Sequence, residues 1–246
     1  MLNKTKTLVK SGLLILSSLS AFSSLAEPIL KSAPIEKIFT IRGFDDNDFV
    51  EVVAYGKLPS TCYKLADASA VIDSEDKIVH VKVNALQYEQ PFCIQVQVPY
   101  FKVIELGVMQ QGAYEVKTND AIPNTIVEID SSSTNDQSDH LYAPVDSATI
   151  EKNTSALALR PLSTVRLKGT FPYMFKGCMV MKEIKSYYTP EKVLVVMPIA
   201  EVRDDNVCKK AERHFDIRYP INYELQTPSL LHVRVMNGEA LNQLLQ

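Results

Sequence analysis

Four cysteines constrain this chain most: Cys62, Cys93, Cys178 and Cys208. They fall into two pairs, 31 and 30 residues apart in the numbering, one pair in each half of the 246 residues. Each pair has the same prelude. Gly56 and Pro59 precede Cys62, and Gly169 and Pro172 precede Cys178. Both glycines end a run rich in β-branched and aromatic residues, the composition of strands. Glycine lets the backbone leave a strand at unusual dihedrals, and proline ends sheet pairing. An aromatic residue follows each second cysteine at similar distance, Phe101 and Phe215, and each half finishes on an alternating strand near an asparagine, Asn119 and Asn237. The spacing predicts a divergent tandem duplication with one disulfide per half. On the chain-entropy model, closing a loop of this size stabilises a domain by about 3.7 kcal/mol. Zinc needs close ligand pairs such as Cys-x2-Cys, which are absent. A reactive thiol is the other reading, with His214 six residues after Cys208.

Disulfides imply an oxidising compartment. The first 26 residues supply a route to one. Lysines at 4, 6 and 10 precede an apolar Leu- and Ser-rich stretch, and Ser24 and Ala26 stand as small-x-small residues before Glu27. This is the pattern of a secretory signal, with cleavage expected after Ala26. No other stretch is long and apolar enough to span a bilayer, so the mature chain is expected to be soluble, in the periplasm or secreted. Removing three lysines takes the formal charge from -3 to about -6. An acidic surface of that kind excludes general binding of nucleic acid or anionic lipid.

Strand signals run through both halves. KIVHVKV sets Val79, Val81 and Val83 on one face and His80 and Lys82 on the other. CIQVQV sets Ile94, Val96 and Val98 together, and LLHVRV sets Leu231, Val233 and Val235 against His232 and Arg234. Histidines on such polar faces are expected at the surface. KVLVVMPIAEV is a near-continuous apolar run suited to a central strand. Asn237-Gly238 is a turn pair, with a short terminal helix expected after it. Ser131 to Asp139 contains no apolar residue and is expected to be a linker. The organisation expected is a signal peptide over 1–26, a first β-sandwich over 27–122, a polar linker over 123–144 and a second β-sandwich over 145–246.

Gly56, Pro59, Cys62, Tyr63, Cys93, Leu106, Gly107, Gly112, Tyr114 and Val116 spell G-x-x-P-x-x-C-Y, a second Cys, then LG-x-x-x-x-G-x-Y-x-V. This pattern resembles small immunoglobulin-like modules of exported bacterial proteins, over most of residues 36 to 120. The second half matches only through Gly169, Pro172, Cys178 and Cys208. The resemblance implies two immunoglobulin-like sandwiches and an envelope location, and no activity. There is no Trp, and the Cys spacing is about half that of antibody domains.

Catalytic signatures are absent: no Gly-x-Ser-x-Gly, no His-Glu-x-x-His, no phosphate-binding glycine loop. With eight glycines, few loops suit a cofactor, and none is expected apart from calcium. Asp45, Asn47 and Asp48 supply hard oxygen ligands for calcium, though as readily a polar turn bonded to its own backbone. Tyr187, Tyr188, Tyr219 and Tyr223 suit either a binding surface or packing beneath loops and between the domains. Asn153-Thr154-Ser155 fits a glycosylation acceptor. The expected function is non-enzymatic, a binding or interaction module of the cell envelope for a protein or peptide partner. The alternatives are a secreted hydrolase or hydrolase inhibitor with a site between the domains, and a calcium-stiffened spacer.

Overall fold

A computed structural model describes residues 27–89, 92–152, 163–174, 177–204, 208 and 213–245. The expected signal segment and the Asn153 motif lie outside these residues. The described residues form an all-β architecture of two sandwiches, each with its disulfide, Cys62–Cys93 and Cys178–Cys208.

In the first half, β2 (Lys37–Thr40), β4 (Val50–Leu58) and β7 (Val98–Gly107) form a three-stranded antiparallel sheet, ordered β2-β4-β7. It faces a sheet containing β5 (Tyr63–Asp73), β6 (Ile78–Gln87), β8 (Gly112–Lys117) and β9 (Thr125–Asp130). In that sheet β5 pairs antiparallel with β6, β6 parallel with β8, and β8 antiparallel with β9. Two short strands extend it, β1 (Ile29–Ser32) on β6 and β3 (Phe44–Asp45) on β9.

The second half repeats this plan. β10 (Val145–Lys152), β11 (Ser163–Thr170) and β14 (His214–Ile221) form the three-stranded sheet. β12 (Cys178–Tyr188), β13 (Val193–Arg203), β15 (Ser229–Arg234) and β16 (Ala240–Leu245) form the other, with the same antiparallel, parallel, antiparallel series. Three strands facing four is the strand count of an immunoglobulin-type sandwich.

The duplication reaches individual residues. β5 and β12 carry a register shift at matching points, after Leu65 and after Met181. Lys77 and Lys192, each just before a central strand, both hold positive φ, at 55° and 68°. Their carbonyls accept from Glu115 N and Leu230 N, fixing the start of the parallel pair. Gly56 lies opposite Tyr100, and Gly169 opposite Phe215. The partner of Phe215 in the repeat is therefore Tyr100, not Phe101.

Several expectations need correction. Residues 125–130, inside the expected linker, form β9 and belong to the first sandwich. Ala143 N donates to Pro198 O and Ala200 N to Leu141 O, so 141–144 belongs to the second. Cys93–Gln97 is not strand, and Ile94 and Val96 are exposed, because the disulfide turns this segment away from the sheet before β7 begins. The terminal residues form β16 rather than a helix, since the Asn237-Gly238 turn, with both φ near 70°, sends the chain back along β15.

The halves do not hang apart. Val193, Val195 and Leu230 join the hydrophobic core of the first sandwich, while Leu194, Val196 and Leu231 fill that of the second. The continuous apolar run of β13 thus serves two cores, one per face. The four-stranded sheet of the second half lies on the β2–β4 side of the first, and the sheets stack in four layers.

Candidate functional site

The joint between the halves is built from polar groups that the alternation of LLHVRV assigns to one strand face. His232 has no exposed surface and Arg234 is 8% exposed, because that face lies against the first half rather than in water. This corrects the expectation of a surface histidine at 232, whereas His80, at the counterpart of Val195, is exposed. Asn242 Nδ2 donates to Glu51 Oε1 at 2.6 Å, which leaves Asn242 Oδ1 to accept from His232 Nδ1 at 3.0 Å. His232 Nδ1 therefore carries a proton and also faces Glu51 Oε1 at 3.3 Å. Burial alone would raise the Glu51 pKa, but the bonds from His232 and Asn242 outweigh it and hold the carboxyl below its usual range. Arg234 stacks its guanidinium 4.7 Å from the Phe44 ring centre, bonds Gly43 O and Tyr142 Oη, and lies 3.5 Å from Asp48. Burial pushes the Asp48 carboxyl up against the pull of Arg234.

The aspartates expected as calcium ligands are engaged locally. Asp45 Oδ1 accepts from Asn47 N, and Asp48 Oδ2 accepts from Asp45 N. Asn47 Nδ2 donates to Thr134 O and Ser132 N to Asp46 Oδ1, so the turn also anchors the Ser-rich loop. Among the described residues no group of three or more His, Cys, Asp or Glu side chains converges as a metal site.

The four tyrosines divide. Tyr187 points into the joint and donates to Arg42 O at 2.7 Å. Tyr188, Tyr219 and Tyr223 gather at one edge of the second sandwich, where Tyr223 Oη donates to Ser186 O at 3.0 Å and the Tyr188 and Tyr223 rings lie 6.2 Å apart. Tyr223 is 36% exposed and the other two are partly buried.

Beside the joint the two stacked sheets part. The polar contacts that His232, Arg234, Asn242 and Tyr187 make across the joint, with the Arg42–Glu191 ion pair and the Lys37 Nζ bond to Glu191 O, draw on residues 37–51 of the first half. β7 is the end strand of its sheet. β16 is the end strand of the facing sheet. Between these two end strands lies a cleft of about 880 Å³, within the range of ligand-binding clefts. Phe49, Val103 and Leu106 give it apolar surface, and Glu51, Glu105 and Glu239 give it three carboxylates, with no lysine or arginine in its lining. Sequence reasoning missed the cleft, since it depends on how the halves stack.

A family model for the ORF11 beta-sandwich domain matches residues 52–129. The match runs from β4 through β9, which places the sheet through Glu128 and Ile129 in one unit with the first disulfide. It covers about a third of the chain and bears on the fold of the first half. No curated protein and no solved structure matches the chain. Among the described residues no helix is long and apolar enough to cross a membrane, and two disulfides suit an oxidising compartment.

Proposed function

We propose that this protein is an exported, non-enzymatic binding module of the cell envelope, which holds an extended segment of a protein or peptide partner along the free edge of β7. The observation that carries this reading is that β7 and β16, each the last strand of its sheet, border one cleft. The unpaired backbone groups of an edge strand bind another strand, and flanking side chains select which one. The three glutamates favour a partner segment with a Lys or Arg among apolar residues. A hydrolytic role has less support, because His232, beside the cleft, is fully buried and committed to Asn242 and Glu51.

The test is capture from envelope extract on the mature chain, run beside Val103→Asp, which puts a charge in the cleft wall. A protein held by the wild-type chain and lost at least about tenfold by the variant supports the reading. Capture of nothing above background, or equal capture by both, overturns it. Export is tested separately: N-terminal sequencing of the secreted chain should begin at Glu27, and an intact Met1 in the cytoplasm would contradict it.

A further inference from the structure

Lys37 stands where the end strand β2 meets the turn that leads into β13. Its Nζ donates to the Glu191 carbonyl at 2.8 Å and lies 4.1 Å from the centre of the Phe39 ring, itself fully buried. The acidic side chains at hand are committed elsewhere. Glu191 gives its carboxylate to Arg42, at 2.7 Å, and Glu36 pairs with Lys57, at 3.2 Å. No carboxylate of the described residues forms an ion pair with Lys37. Burial first, and then the ammonium of Lys192, lower the Lys37 pKa from 10.5 to about 8, against a smaller pull from Glu191. The amine borders a cavity of about 400 Å³, a size that holds a small molecule. Ile38, Pro123, Ile126 and Pro190 give this cavity apolar surface. It shares no lining residue with the cleft, and β2 and β7 are opposite end strands of their sheet.

We propose that Lys37 is a covalent capture site for small uncharged aldehydes, which enter this cavity and condense with its amine. The nitrogen lone pair adds to the carbonyl carbon, a C=N bond replaces C=O, and the oxygen leaves as water with the two protons of the nitrogen. An ammonium paired with a carboxylate or surrounded by water holds its proton and has no lone pair to add. A desolvated, unpaired one gives its proton up near neutral pH. At about pH 7.5 roughly a quarter of Lys37 is unprotonated, against about 0.1% of an ordinary lysine. Lower basicity makes a weaker nucleophile and takes back part of that gain, leaving about tenfold. The apolar wall favours an uncharged carbonyl compound over a charged one. Capture is stoichiometric, one aldehyde per chain, and does not rest on the β7 edge reading.

The probe is propanal with cyanoborohydride, which reduces the imine to a stable secondary amine. It is applied to the full mature chain at about pH 7.5 and read by peptide mass mapping. Lys37 should be labelled at least about fivefold faster than the exposed Lys82, and the preference should vanish when the chain is labelled in guanidinium chloride. Ile126→Trp, at an exposed position of the cavity wall, should fill the cavity and slow Lys37 at least about fivefold, with Lys82 unchanged. Trace acetylation with acetic anhydride across pH reads the amine itself. The Lys37 rate should level off above about pH 8.5, where Lys82 is still rising. Equal labelling of Lys37 and Lys82, a preference that survives unfolding, or a Lys37 rate still rising past about pH 10 overturns the proposal. So does a Lys37 rate that Ile126→Trp leaves unchanged, since the aldehyde would then not be using the cavity.

Discussion

Two glycines show most clearly how single residues set this fold. A Cβ on Gly56 would lie 2.0 Å from Pro34 O, and one on Gly169 2.1 Å from Pro144 O. Each would also strike the ring opposite, Tyr100 or Phe215. Gly56→Ala and Gly169→Ala should therefore each cost about 2–4 kcal/mol in chemical denaturation, because backbone rather than a pliable side chain must give way. Tyr100→Phe should cost no more than about 1 kcal/mol, since it loses the bond from Tyr100 Oη to Pro34 O and otherwise recreates the arrangement at Phe215. The Gly, Pro and Cys of the repeat are legible in the sequence. The matching Ala33-Pro34 and Ala143-Pro144 are not, because what links them to the glycines is a close approach across strands far apart in sequence. Glu51 offers a second test at this scale. Its folded pKa lies below the unfolded value, so its stabilisation is present above about pH 4.5 and is lost as pH falls through the folded value. Glu51→Gln should destabilise the chain by about 1–3 kcal/mol at pH 7. The gap between variant and wild type should close in denaturation curves below about pH 4. A gap that persists there would show that the carboxylate charge is not what holds His232 and Asn242.

Among the elements, alternation told which residues share a face but not what covers that face. In β6 the faces read as expected, with Val79, Val81 and Val83 buried and His80 and Lys82 exposed. In β15 the pattern is equally regular, yet both faces are buried, since His232 and Arg234 meet the first half. β9 was illegible for a different reason: TIVEID is short and follows Pro123 into a polar stretch, and only its pairing with β8 secures it. The disulfides were legible from count and spacing alone. Each ties the start of an end strand, β5 or β12, to the segment before the end strand facing it, β7 or β14. Replacing Cys62 and Cys93 together by Ser, or Cys178 and Cys208, should lower unfolding free energy by about 3–4 kcal/mol in either case. A pair whose loss costs nothing would mean that its loop is already held by the surrounding strands.

For the molecule as a whole, the outer faces of the stack of four sheets carry charged and polar side chains. The first sheet presents His80, Lys82 and Glu115 to water. The last presents a chain of ion pairs through Arg166, Asp216, Glu151 and Arg218. These exposed pairs add little stability. Between the ends, the apolar faces of β13 and β15 join two sandwiches that the sequence alone presented as beads on a linker. The cleft exists only because of that joint, so the binding reading depends on the halves behaving as one body. Native-state hydrogen exchange at rising denaturant tests this most directly, comparing the amides of Val79–Val83 with those of Val193–Val196. The account predicts that both sets open together, at the free energy of global unfolding. If the second half kept its protection after the first had lost it, the welded joint, and the cleft beside it, would be contradicted.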